Sequence, residues 1–258
     1  MYEIGVFGGK ENRGESREPK RKRIAEMDQR RWEEFNTDCL TNIFGRVGIE
    51  SLLLDVPFVC KSWYKASLDP CCWQRLIFPN VSFFGRFVDE YRIDDWKYST
   101  SAFIKFAIGR SKGHATVLSL PPSASEADLK YVSDVCGDLK VLAFHGDEPH
   151  VIPKLIGKWK HLEWLMLESG DDFEEILSQI SIHCKDFCGL CVSNDVFCTG
   201  EGMAIVNFLP KIKQLIFRRV EIGRDDLMAL LLRCKKLLLL EGSDCIGFSP
   251  DDLEISHW

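Results

Sequence analysis

The chain has 258 residues, 45% hydrophobic and 28% charged, an ordinary globular composition with enough length for one or two domains. Its net charge of -6 is uneven: residues 1–31 carry nine Lys/Arg against six Asp/Glu, which leaves the remainder at -9. An acidic body excludes nucleic acid as the main partner, because phosphate binding needs clustered Lys and Arg.

Residues 1–30 are polar, Gly-containing and charged, too poor in apolar surface to offset ordering entropy, and are expected to be a disordered tail. They lack the apolar core of a secretory signal, and no run in the chain approaches a membrane span, so no membrane association is expected. The 11 cysteines, an odd number, are read as reduced thiols of an intracellular protein, nuclear or cytoplasmic. Pro19-Lys20-Arg21-Lys22-Arg23 is either a segment for nuclear import receptors or a solvated basic tail.

Residues 31–76 change character. Leu40, Ile43, Phe44 and Val47 fall on one helical face, with Asn36 or Thr37 as N-cap, Asp38 in the first turn and Gly48 just past the end. A second short helix is expected at Ser51–Leu54. A third opens at Pro57, carries Val59 to Ala66 and stops at Asp69-Pro70. Three short helices make a very small core, which usually needs to dock on something.

These residues resemble an F-box. The resemblance rests on Phe35-Asn36-x-Asp38-x-Leu40-x-x-Ile43-Phe44, then Val59-Cys60-Lys61-x-Trp63, then Asp69-Pro70-x-x-Trp73. The family usually opens with Leu-Pro, where this chain has Phe35-Asn36. The resemblance implies binding to a Skp-family adaptor, and through it to cullin and RING subunits. Phe35, Asn36, Leu40, Ile43, Cys60, Lys61 and Trp63 would then lie in or behind the adaptor interface. The other reading of each is that it fills the three-helix core; large apolar anchors serve either purpose.

Residues 77–112 read as a helical connector, with Phe103, Phe106 and Ala107 on a helix face near Ser101–Ile108. Residues 113–258 then repeat. Hexamers of the form apolar-x-x-Leu-x-apolar start at Ala115, Leu139, Leu162, Phe187, Ile212 and Leu237, the last ending in Gly242. Their spacings of 24, 23, 25, 25 and 25 are those of leucine-rich repeats. Helical stretches are expected between them at Asp128–Cys136, Phe173–Cys184, Gly202–Leu209 and Asp225–Cys234, with a weaker one at Pro153–Trp159. The predicted fold is therefore an α/β solenoid of about six repeats behind a three-helix F-box. Cys136, Cys184 and Cys234 each stand three residues before a hexamer, where other repeats have Trp159 and Leu209, so they read as packing residues. After Ser249-Pro250, Leu253, Ile255 and Trp258 are expected to cap the last repeat.

Motifs for catalysis are missing: there is no P-loop, H-E-x-x-H or G-x-S-x-G, and no His is spaced with a Cys as a nucleophile and base. No enzyme activity and no cofactor are expected. Cys184, Cys188, Cys191 and Cys198 lie close in sequence, but residues 188 and 191 would face opposite sides of a strand, which favours separate thiols over zinc. The outward strand positions would form a concave face. On it His145, Trp164, Met166, Ile216 and Arg218 are the candidate contacts for an unidentified protein substrate. In layout, residues 30–245 resemble the small plant F-box/LRR proteins. That likeness implies the substrate-recognition subunit of a Skp-cullin-F-box ubiquitin ligase; the alternatives are an F-box/LRR scaffold that does not assemble with cullin and a plain interaction module.

Overall fold

The computed structural model describes residues 32–78, 81–92, 99–145, 149–168, 172–193 and 200–247. The tail with its basic pentamer and the expected cap at Leu253, Ile255 and Trp258 lie outside the described residues. The chain divides into two units, Met1–Phe35 and Asn36–Trp258. In the first, a 3-10 turn spans Trp32–Glu34, and the rings of Trp32 and Phe35 stack with centroids 5.0 Å apart.

The second unit begins with a helical cluster. Helix α1 (Thr37–Phe44) is capped by Asn36, whose side chain accepts a hydrogen bond from the Asp38 amide at 3.0 Å. Helix α2 spans Ile49–Leu54. The expected third helix is two helices, α3 (Val56–Val59) and α4 (Lys61–Ser67). The break is at Cys60, which is fully extended (φ -164°, ψ 172°) and serves as the N-cap residue of α4. A 3-10 turn at Pro70–Trp73 follows, and its Trp73 Nε1 donates to the Ser67 carbonyl at 2.7 Å. Leu40, Phe44, Ile49, Leu52, Ala66 and Trp73 are buried together.

Next comes a parallel sheet of seven strands in sequential order: β1 (Arg75–Ile77), β2 (Val117–Ser119), β3 (Val141–Ala143), β4 (Trp164–Glu168), β5 (Gly189–Ser193), β6 (Gln214–Arg218) and β7 (Leu239–Ser243). The last six sit on the six hexamers, in register Leu118, Leu142, Leu165, Leu190, Leu215 and Leu240. The first was not among them. Trp73-Gln-Arg-Leu76-Ile-Phe78 has the same apolar pattern, and Leu76 pairs with Leu118. The expected boundary at residue 76 falls inside this strand.

Parallel neighbours need crossovers, and helices supply them. Between β1 and β2 lie α5 (Val81–Glu90) and α6 (Thr100–Ser111); then follow α7 (Glu126–Val135), α8 (Ile152–Ile156), α9 (Phe173–His183), α10 (Glu201–Phe208) and α11 (Arg224–Arg233). An Asp in the first turn of one helix ties it to the helix before. Asp128 of α7 accepts from Ser101 of α6 at 2.8 Å and closes a capping box with Ser125. Asp226 of α11 accepts from the Gly200 amide at the start of α10 at 3.2 Å. Both carboxylates are buried at helix N-termini, where the peptide dipoles favour negative charge.

The inward strand residues Leu118, Leu142, Leu165, Leu190 and Leu215 are wholly buried, as are Leu129, Val132, Ile152, Ile156, Leu177, Ile180, Ile205 and Leu230 from the helices. One buried cluster runs without interruption from Leu40 to Cys234. Each such side chain contributes about 1.5–3 kcal/mol, so the column dominates stability. A parallel sheet with helical crossovers at this period fits a leucine-rich-repeat-like fold. Among the described residues no helix is long and apolar enough to cross a membrane.

Candidate functional site

The chain presents two surfaces. The first is the helical cluster. Ile43, on the last turn of α1, is 45% exposed, whereas Leu40 one turn earlier is 1% exposed. Leu40 therefore fills the core and can support an interface only from behind. Trp63 is also partly committed inward: it meets Phe44 edge to face with centroids 5.1 Å apart. Lys61 is exposed, and Cys60 is half-buried with its Sγ 3.1 Å from the Ser62 hydroxyl. Asn36 is exposed and occupied with capping α1. Phe35 belongs to the first unit and is exposed there.

Three residues outside the expected interface set stand on this surface. Phe58 and Val59 at the end of α3 are 59% and 56% exposed, and Tyr64 of α4 is exposed as well. Read as one helix, residues 57–66 give no reason for Phe58 and Val59 to face outward. The break at Cys60 places them there. The available signal was an excess of apolar side chains over what one helical face can bury. Exposed large apolar groups on small helices mark surfaces that meet a partner.

The second surface is the solvent side of strands β4–β6. Across β4, β5 and β6 the register runs Trp164, Gly189, Gln214 in one row and Met166, Cys191, Ile216 in the next, and it sets Arg218 beside Ser193. Met166 and Ile216 are half-buried and Arg218 is exposed. His145 follows β3 and is half-buried. The ladder thus brings Trp164, Met166, Ile216 and Arg218 onto one face, while His145 lies outside the paired residues of β3.

Two features differ from the outward face expected. Trp164 is half-buried, because its indole lies across the bare backbone of Gly189: a Cβ there would stand 1.8 Å from Trp164 Cδ1. Gly189, Cys191 and Ser193, which the register aligns with Trp164, Met166 and Glu168, are buried along with the rest of β5. Cys191 is flanked in register by Met166 and Ile216, and burial raises its thiol pKa. The rim of this face is therefore Trp164, Met166, Ile216 and Arg218, with β5 forming its floor.

The repeat cysteines sit where packing needs them. Cys136, Cys184 and Cys234 end α7, α9 and α11, are buried, and share that place with Trp159 and Leu209. Burial pushes the Cys136 and Cys184 thiols up to about 11. Cys184 Sγ also donates to the Trp159 carbonyl at 3.4 Å. Among the described residues no three His, Cys, Asp or Glu side chains converge to hold a metal; Cys198 lies outside them.

No protein-family model matches the chain. It is similar to F-box protein FBW2 of Arabidopsis thaliana, 27% identical over 233 residues that cover 86% of this chain and 71% of that protein. An F-box/LRR-repeat protein of the same plant is 29% identical over 216 residues, 78% of this chain and 68% of its own length. A further Arabidopsis F-box/LRR-repeat relative is 21% identical over 229 residues, 86% of this chain and 91% of the relative. The chain thus resembles plant F-box/LRR-repeat proteins over most of its length.

Proposed function

We propose that the chain is the substrate-recognition subunit of a Skp-cullin-F-box type ubiquitin ligase, itself without catalytic activity. The helical cluster of residues 37–73 binds a Skp-family adaptor, and the face formed by Trp164, Met166, Ile216 and Arg218 captures a target protein. Catalysis is then proximity: a target lysine is held near the conjugating enzyme carried elsewhere in the assembly. The observation that carries this reading is the exposed apolar group Ile43, Phe58, Val59 and Tyr64 on a small helical cluster packed against a leucine-rich-repeat-like sheet. Likeness to proteins named F-box/LRR-repeat supports it. It implies an intracellular protein whose thiols stay reduced, and no disulfide joins the ten described cysteines.

The test is co-expression with a Skp-family adaptor and size-exclusion chromatography. The parent chain is expected to elute as a 1:1 complex that recruits cullin. An Ile43→Asp, Val59→Asp variant, altered only at exposed positions, is expected to elute alone and folded. A parent chain that stays alone contradicts the reading. A complex that forms but never recruits cullin favours a scaffold that does not assemble with cullin.

A further inference from the structure

A cavity of about 420 Å³ lies where α2, α4, α5, α6 and the Pro70–Trp73 turn meet. Its walls are apolar: Leu52, Leu53, Trp73, Phe87 and Phe103 are all buried around it. Its mouth is ringed by Tyr64, Tyr91 and Phe106, all exposed. Small-molecule sites are of this kind, about 300–1,000 Å³, mainly apolar, with a few polar groups that fix orientation.

One charge faces this space. Arg110, in the last turn of α6, lines the cavity with its guanidinium 5.0 Å from the Phe106 ring centroid and 6.0 Å from that of Trp73. The aromatic rings occupy the faces of the guanidinium and leave its N–H edge to other partners. Among the described residues no carboxylate or carbonyl bonds to it. Neighbouring polar groups are already engaged: Tyr91 Oη donates to the Leu53 carbonyl at 2.8 Å, the Ser67 hydroxyl to the Tyr64 carbonyl at 2.8 Å, and Trp73 Nε1 to the Ser67 carbonyl. A half-buried guanidinium beside an apolar cavity is complementary to one kind of occupant, an anion joined to an apolar body.

We infer that this cavity binds a small carboxylic acid with an aliphatic or aromatic body, the body against Trp73, Phe87 and Phe103 and the carboxylate on Arg110. The site is separate from the strand face, and the inference does not rest on the adaptor reading.

Ligand-observed NMR saturation transfer on the full chain tests it, with decanoate as probe and decanol as its uncharged match, both below micelle formation. Decanoate is expected to bind about ten-fold more tightly than decanol, the difference expected of a charge-assisted contact. Arg110→Gln should bring decanoate down to the level of decanol. Ala102→Phe, which fills the cavity from an exposed position of α6, should abolish binding of both, with a thermal melt like the parent's. Leu68→Phe is the second filling variant should the first not fold. The inference is overturned if decanoate does not bind, if Arg110→Gln binds it as the parent does, or if binding survives in a folded filled variant.

Discussion

Trp164 and Gly189 are a matched pair, one side chain too large for its place on a strand and one residue with none. Gly189→Ala would put a methyl group on the indole, so the indole must leave. The expected result is a red shift of tryptophan emission and a loss of about 1–3 kcal/mol in urea unfolding, the usual cost of overpacking. Unchanged emission would mean that the ring does not lie there. Alternation along a strand puts Trp164 on the face opposite Leu165, and there its indole is half-buried. What alternation does not carry is the neighbouring strand's contribution, and the aligned Gly189 was the available signal. Buried thiols give a second expectation at this scale. Burial first, then the nearby charge of Asp69, pushes Cys72 up to about 12 from an ordinary 9.0, and burial alone takes Cys136 and Cys184 to about 11. The folded chain therefore holds these protons more tightly than the unfolded chain. Their contribution is intact below pH 9 and is lost as pH rises towards 11 and 12. Stability measured by denaturant should fall across that window, and Cys136→Ala with Cys184→Ala should flatten the fall. A slope that those substitutions leave unchanged would contradict this.

At the scale of elements, β1 is the strand that the hexamer spacing passed over. Trp73 stands 42 residues before Ala115, far from a period near 25, because two helices fill the crossover. The pattern itself was legible in Trp73-Gln-Arg-Leu76-Ile-Phe78; the period hid it. Leu76 is wholly buried, so Leu76→Ala should cost about 2–5 kcal/mol by chemical denaturation, as any repeat leucine would. A cost below 1 kcal/mol would mean that β1 is not part of the sheet. The six later strands and their helices could be read directly, since Leu142, Leu165, Leu190 and Leu215 recur at a nearly constant interval and Cys136, Cys184 and Cys234 mark the helix ends. The helical cluster was harder. Short helices offer too few residues for a period, and no Pro or Gly stands at Cys60 to announce the break there. For that reason Phe58 and Val59 stand outside the expected interface set, while Ile43 is in it.

On the scale of the whole molecule, the helical cluster and the sheet share one buried core, and α5 links them: Arg86 pairs with Glu50 of α2, and Tyr91 bonds the Leu53 carbonyl. The exposed group at Ile43, Phe58, Val59 and Tyr64, proposed to meet the adaptor, is nevertheless built from different elements than the strand face at Trp164, Met166, Ile216 and Arg218. If the chain is a receptor with two tasks, filling one surface must leave the other open to solvent. Hydrogen exchange of the chain alone and with a Skp-family adaptor tests this most directly. The account predicts new protection confined to residues 37–67, with β4–β6 exchanging as in the free chain. Protection on β4–β6 in place of the helices, or no protection anywhere, would contradict it.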